Sequence, residues 1–446
     1  MGVDVEQAAV PDDDWTRARL RHGPLAALRG LLHRPLASYY LLLSSSGLLL
    51  VIGLVMVFSA TSVQSYAVNG NAFFSVSRQA VFALLGLCAF WFFQRLPART
   101  YRALGTPLLV LAIVLLVTLD GLGLLHNARL GPIHGDTKNN LWLYLGPIEL
   151  QPSELAKLAL ALWGAKVIVE RGAAAGSWKH LARPLFPVTA LLFVLVGYND
   201  FGTMVCLFLL FVGLLWAAGV RLRIFAGLFV GMAVGFALLI AMPGFGYRLT
   251  RLTDFTDSAN CDPTSTCYQA VHGLYAIADG GWFGVGLGEG RLKWGWLPNG
   301  HNDFIFAVIA DELGVVGCFV VLALLAVFAY TGLRIARRVD DPFRRLVATG
   351  ITIWLVGQAT INIGGVVGLL PITGLPLPFI SDGGSALIVT LAAVGLLASF
   401  ARAEPDAARA LHARPPDRWV RLLWAPLPPL PRDRRPIRKR SPERRR

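Results

Sequence analysis

Long apolar runs broken by short polar stretches set the rhythm of this chain. Ten runs stand out, at roughly residues 39–60, 80–94, 105–125, 152–170, 184–198, 201–220, 224–243, 304–332, 346–366 and 385–401. A hydrocarbon core about 30 Å thick needs about 20 residues of helix to cross it. A helix also satisfies its own backbone polar groups where water is absent. The pattern predicts an all-α polytopic membrane protein of ten transmembrane helices, residues 39–402. A large outer loop, 244–303, lies between helices seven and eight. Residues 1–38 read as a disordered or loosely helical cytoplasmic arm, and 403–446 as an Arg- and Pro-rich cytoplasmic tail that is expected to be disordered.

Composition supports this class. Of 446 residues, 55% are hydrophobic and 15% charged, where soluble domains carry about a quarter charged. Thirty-three Lys and Arg fall in segments read as inner and seven in the outer loops. That asymmetry places both termini in the cytoplasm and accounts for the +14 net charge without nucleic acid. The acidic start, Asp12 to Asp14, and a long first apolar run argue against a cleavable signal peptide. Cys88, Cys206 and Cys318 are expected as core residues. Cys261 and Cys267 share the outer loop, where a disulfide or two free thiols are both compatible with the sequence. The basic tail reads as an anionic-lipid contact, a docking segment for a cytoplasmic partner, or both.

Two segments break the helical pattern. Residues 364–385 are apolar but carry three prolines and six glycines, so no regular helix forms there. Apolar, non-helical backbone beside a membrane is tolerated when it is buried in protein. The segment is therefore expected to fold back as a wall of a pocket. The glycine-rich run Gly280–Gly290 reads as a flexible or tightly turned surface segment in preference to a phosphate cradle, since no strand–loop–helix context surrounds it.

Candidate chemistry gathers between Leu297 and Gly314, where His301, Asp303, Asp311 and Glu312 enter the eighth apolar run. Ionisable groups entering a bilayer are costly and mark function by default. Asp303 stands at a helix start, with His301 and Asn302 beside it and the cations Arg291 and Lys293 upstream. Glu154 and Lys157, three apart on the fourth run, share a helix face and form either an intramembrane pin or a polar cavity wall. Asp200 reads as a helix cap. Zinc, Cys-pair and Walker patterns are absent from the sequence.

Taken with their order, these motifs are specific. Gln151-Pro-Ser-Glu-Leu-Ala-Lys157, Tyr268-Gln269, the run to Gly290, Leu297-Pro with His301-Asn-Asp303-Phe-Ile-Phe, and Pro371 to Ser381 followed by Gly383-Gly-Ser385 resemble the SEDS family of bacterial cell-wall proteins (FtsW, RodA and SpoVE). The likeness is greatest to the actinobacterial division branch, FtsW, and spans residues 39–402. Departures include Asn299-Gly300 before the motif histidine, Tyr198-Asn199 before Asp200, and Asp382 after Phe-Ile-Ser.

The resemblance implies a peptidoglycan glycosyltransferase that polymerises lipid II at the outer membrane face. Undecaprenyl diphosphate would be the leaving group and Asp303 the general base. It casts His301, Lys293, Arg291, Arg248, Glu154, Lys157, Ser381 and Gln269 as substrate-binding residues. A divalent metal, Mg or Mn, is compatible with this chemistry, although no residue pattern demands one. It further implies a class B penicillin-binding protein and other divisome proteins as partners, in the cytoplasmic membrane at the division septum. A lipid II flippase and a non-catalytic scaffold for a penicillin-binding protein are the alternatives.

Overall fold

A computed structural model describes residues 34–124, 133–135, 141–145, 148–172, 178–241, 266–291, 294 and 296–430, together with 30 and 32. Helices occupy all ten apolar stretches: α1 Ala37–Asn69, α2 Phe74–Arg95, α3 Ala98–Leu124, α4 Pro152–Arg171, α5 Trp178–Asn199, α6 Phe201–Ala217, α7 Leu222–Ala241, α9 Ile305–Arg338, α10 Pro342–Val366 and α11 Ser385–Arg402. The segment between α7 and α9 contributes α8, Thr266–Gly280. Seven helices are long and apolar enough to cross a membrane, and α6 and α7 are apolar but shorter. The remaining one, α4, carries Glu154, Lys157 and Lys166 within its length. The chain is an all-α, multi-pass membrane protein.

Local signals set several helix ends. Pro152 and Pro342 occupy first-turn positions, where a missing N–H is harmless. Asp341 accepts from the Phe343 amide at 3.1 Å, and Asp200 from the Thr203 amide at 2.9 Å, so the expected capping role of Asp200 is what the fold uses. A short antiparallel sheet, β1 Ile133–Gly135, β2 Leu143–Leu145 and β3 Ile148–Leu150, precedes α4. The apolar pattern, tuned to helices, missed it.

Burial separates centre from rim. In α11, 89% of the apolar window is buried, against 22% in α2. The centre consists of α4, α10, α11 and the first turns of α9. The rim helices α2, α3 and α7 turn Leu, Val and Phe outward, onto surface that lipid tails would cover. Among the cysteines, Cys206 is buried, but Cys318 is half-buried and Cys88 exposed. The core expectation fails for Cys88 because its face of α2 points outward. Cys261 and the side chain of Cys267 lie outside the described residues.

The expected disorder of 403–446 is corrected over its first part. Helices α12, Pro405–Ala413, and α13, Arg418–Leu423, follow α11 directly. The chain then docks where α1, α2 and α11 meet. Trp424 donates its indole N–H to Tyr39 Oη at 2.6 Å, and Arg402 donates to the Ala425 carbonyl at 3.3 Å. Hydrogen bonds to the buried Tyr39 and Arg402, and backbone carbonyls satisfied by α2, outweigh a composition that taken alone favours disorder. Residues 431–446 and most of the 1–38 arm lie outside the described residues.

Candidate functional site

The site is built around the segment 367–384, which turns into the protein between α10 and α11. Leu375, Leu377, Phe379, Ile380 and Ser381 are all buried, as the folded-back reading requires. Gly53 of α1 makes this possible, since a Cβ there would lie 2.6 Å from Ile380 Cα. Phe379 has a φ of +71°, unusual for a side chain of its size. Its ring meets Phe328 edge-on at 5.3 Å, a packing contact that holds the strained residue in place.

Polar side chains from two helices bind the carbonyls of this segment. Gln79 of α2 donates to Ser381 O at 3.1 Å. Gln358 and Asn362, one turn apart on α10, donate to Pro376 O at 2.9 Å and Leu375 O at 2.7 Å. Each bond satisfies a buried carbonyl that would otherwise be costly. The Ser381 hydroxyl accepts from the Leu377 amide at 2.7 Å and donates to Asn302 O at 2.6 Å. Next in the chain, the Asp382 amide donates to His301 O at 3.1 Å. The segment is thereby fastened to the start of α9.

Asp303 sits at that junction, 9% exposed. Its carbonyl accepts from Asn362 Nδ2 at 2.7 Å. Its Oδ2 faces the backbone at Gly374, where a Cβ would come within 3.9 Å. The carboxylate thus stands just before the positive end of α9, walled by the folded segment. His301 is half-buried beside it in sequence. Burial holds the imidazole below its ordinary value of 6.5, the Asp382 carboxylate opposing and the Arg78 guanidinium adding to the effect. His301 is therefore neutral at pH 7.

Glu154 and Lys157 form a buried pair on α4, Nζ to Oε1 at 2.7 Å, with side chains 1% and 0% exposed. Lys157 also donates to Gln358 Oε1 at 2.8 Å. The same oxygen accepts from the Trp354 indole at 3.0 Å, and the ammonium lies 5.1 Å from the Trp354 ring centre. Gln358 therefore joins the ion pair to the folded segment, and Asn362, four residues on, joins that segment to Asp303. Polar residues at i and i+4 inside an apolar helix were the available signal for these two, and the sequence reading did not use it.

Asp311 and Glu312 lie two turns into α9, and both are buried. Ser59 of α1 donates to the Glu312 carboxylate at 2.6 Å. Directly beyond, α9 breaks at Gly314, with φ +67° and ψ −166°. The glycine-rich run supplies what the break removes. The Val285 and Gly286 amides donate to Asp311 O and Glu312 O at 2.9 and 3.1 Å. Gly281 O and Trp282 O accept from the Val315 and Val316 amides at 3.0 and 3.2 Å. The glycines let the run pack backbone to backbone against α9, a closer role than that of a flexible or turned surface segment.

The other predicted residues are more scattered. Gln269 is half-buried on α8, and Arg291 is exposed. Arg248 and Lys293 lie outside the described residues. Arg78, not singled out from sequence, reaches Asp382 at 3.4 Å and Glu149 at 3.7 Å. Among the described residues, no three His, Cys, Asp or Glu side chains gather as a metal-binding group.

Against known proteins, residues 40–405 match a family model described as "Cell cycle protein" and covering FtsW, RodA and SpoVE. The probable peptidoglycan glycosyltransferase FtsW of Mycobacterium tuberculosis is 40% identical over 426 residues, which is 95% of this chain and 77% of that protein. Stage V sporulation protein E of Bacillus subtilis is 34% identical over 360 residues, 80% of this chain and 94% of that one. Among solved structures, the rod shape determining protein RodA of Thermus thermophilus aligns with TM-score 0.57 at 27% identity, covering 81% of this chain and 96% of RodA. A chain from a structure described as "Structural coordination of polymerization and crosslinking by a peptidoglycan synthase complex" aligns with TM-score 0.64 at 26% identity, covering 81% and 97%.

Proposed function

Because the chain belongs to the FtsW, RodA and SpoVE family of cell cycle proteins, we propose that it is a peptidoglycan glycosyltransferase polymerising lipid II, with Asp303 as general base. The observation that carries this reading is the setting of Asp303, a carboxylate beside the folded segment, immobilised through its own backbone by Asn362. All ten helices α1 to α7 and α9 to α11 are read as spans, with both termini in the cytoplasm and Asp303 at the outer face. The asymmetry of Lys and Arg supports that orientation.

The sugar 4-hydroxyl of the acceptor attacks the anomeric carbon of the donor. Its proton passes to the Asp303 carboxylate, the new glycosidic bond forms, and the bond to undecaprenyl diphosphate breaks. A base held in place removes reorganisation from this step and contributes roughly 10²–10⁴-fold. Negative charge develops on the leaving diphosphate and calls for cations. Arg291, Lys293, Arg248 and Arg78 are the outer cations for that role. Glu154 and Lys157 then form the polar floor beneath the folded segment, positioned through Gln358. Among the described residues no three His, Cys, Asp or Glu side chains gather beside Asp303, and no step is routed through a metal. A class B penicillin-binding protein at the septum is the proposed partner.

The test is a lipid II polymerisation assay on the protein purified with its transpeptidase partner. Wild type should give glycan polymer, and Asp303→Ala should lose it by at least about a hundredfold. Equal polymer from both overturns the assignment of the base. No polymer from wild type with any partner favours the scaffold reading, and lipid II translocation without polymer favours the flippase.

A further inference from the structure

The docked tail carries a surface that the catalytic reading leaves unused. Trp419, Val420, Leu422 and Leu423 of α13 are exposed, Trp419 at 72% and Leu423 at 62%. The backbone that bears them is tied to the last turn of α2, Arg95 donating to Leu422 O and Trp91 to Leu423 O, both at 2.6 Å. On that turn Trp91 and Phe92 are themselves exposed. The apolar face of the tail thus continues the outward face of a membrane-crossing helix, at the level where that helix ends.

Charge completes the pattern. Arg414 and Arg418 flank the apolar residues and are exposed. From 414 to 446 the chain has twelve Lys and Arg against three Asp and Glu. Tryptophan at a membrane boundary, apolar side chains on one stretch and basic residues around them are the features of a segment lying in a lipid interface.

We propose that residues 414–430 form an interfacial strap seated on anionic phospholipid, with Trp419, Leu422 and Leu423 entering the acyl boundary and the arginines binding headgroups. Each basic residue near an anionic surface is worth about a fivefold change in partitioning. The strap then holds the ends of α1, α2 and α11 at the level of the lipid headgroups.

The experiment uses the full-length chain, its other cysteines replaced, with a nitroxide on Leu422→Cys in lipid nanodiscs. In discs containing phosphatidylglycerol the label should favour collision with oxygen over a water-soluble nickel chelate. The ratio should be markedly higher than in phosphatidylcholine discs. Reversing two exposed charges, Arg414→Glu with Arg418→Glu, should reduce the preference at least about tenfold in phosphatidylglycerol and little in phosphatidylcholine. Equal accessibility in the two discs, or no effect of the reversal, overturns the proposal. A label equally water-exposed in both would assign the face to a cytoplasmic protein instead.

Discussion

Single side chains decide what this site can do. Replacing Asp303 by Asn keeps its shape and its Asn362 contact but removes the proposed proton acceptor. Polymer formation should fall roughly 10²–10⁴-fold while thermal stability holds, read by paired polymerisation and unfolding assays. The buried pair behaves differently. Lys157→Met strands Glu154 in the core and should cost about 3–5 kcal/mol, whereas Lys157→Met with Glu154→Gln should regain most of it. Unfolding midpoints in detergent measure both, and activity that stays absent in the stable double variant would mark the pair as more than a pin. His301 gives a pH signature. Its pKa is lowered on folding from 6.5, so folding does not depend on it above that pH. As pH falls below 6.5 the unfolded chain binds the proton first, and stability is lost until the folded pKa is reached. His301→Gln should show a smaller loss between pH 7 and pH 5.

Elements are held together by features that run against regular structure. Gly314 is the clearest, with its positive φ and an added Cβ that would strike Gly284 N. Gly314→Ala should cost about 1–3 kcal/mol or more and should speed amide exchange across 281–286, read by mass spectrometry, because those amides and carbonyls bond to both sides of the break. Most elements were legible in advance. The ten apolar runs gave the helices because hydrophobic length is a strong signal. The prolines and glycines of 364–385 gave the folded segment. Less was legible where short-range signals are weak. The three-residue strands carry no pattern, and α12 and α13 were hidden behind an Arg- and Pro-rich composition. Asp303, Glu154 and Lys157 were legible as charges in apolar surroundings. Gln358 and Asn362 offered only their i, i+4 spacing, and Gln79 and Ser59 offered nothing, because single neutral polar residues are common enough in helices that only their partners reveal them.

At the scale of the molecule, the buried helices α4, α10 and α11 form a fixed centre and the rim helices face lipid. The proposed orientation has a direct check. In a cysteine-free background, Asn140→Cys should react with a membrane-impermeant thiol reagent in intact cells, and Ser441→Cys should react only after the membrane is opened. The opposite pattern would place Asp303 on the cytoplasmic side and end the polymerase reading, because the proposed reaction takes place at the outer face.

Gln358 and Asn362 connect the Lys157 pair and Asp303 through one turn of α10. Their separation is fixed by helix pitch, so the two centres share a ruler that neither can adjust alone. A single residue inserted between them would turn one amide about 100° away from its carbonyl without touching any charged group. Such a chain would keep every ionisable residue of the site and lose their alignment. Variation in this family should therefore tolerate substitutions along α10 far better than any change in its residue count between these two positions.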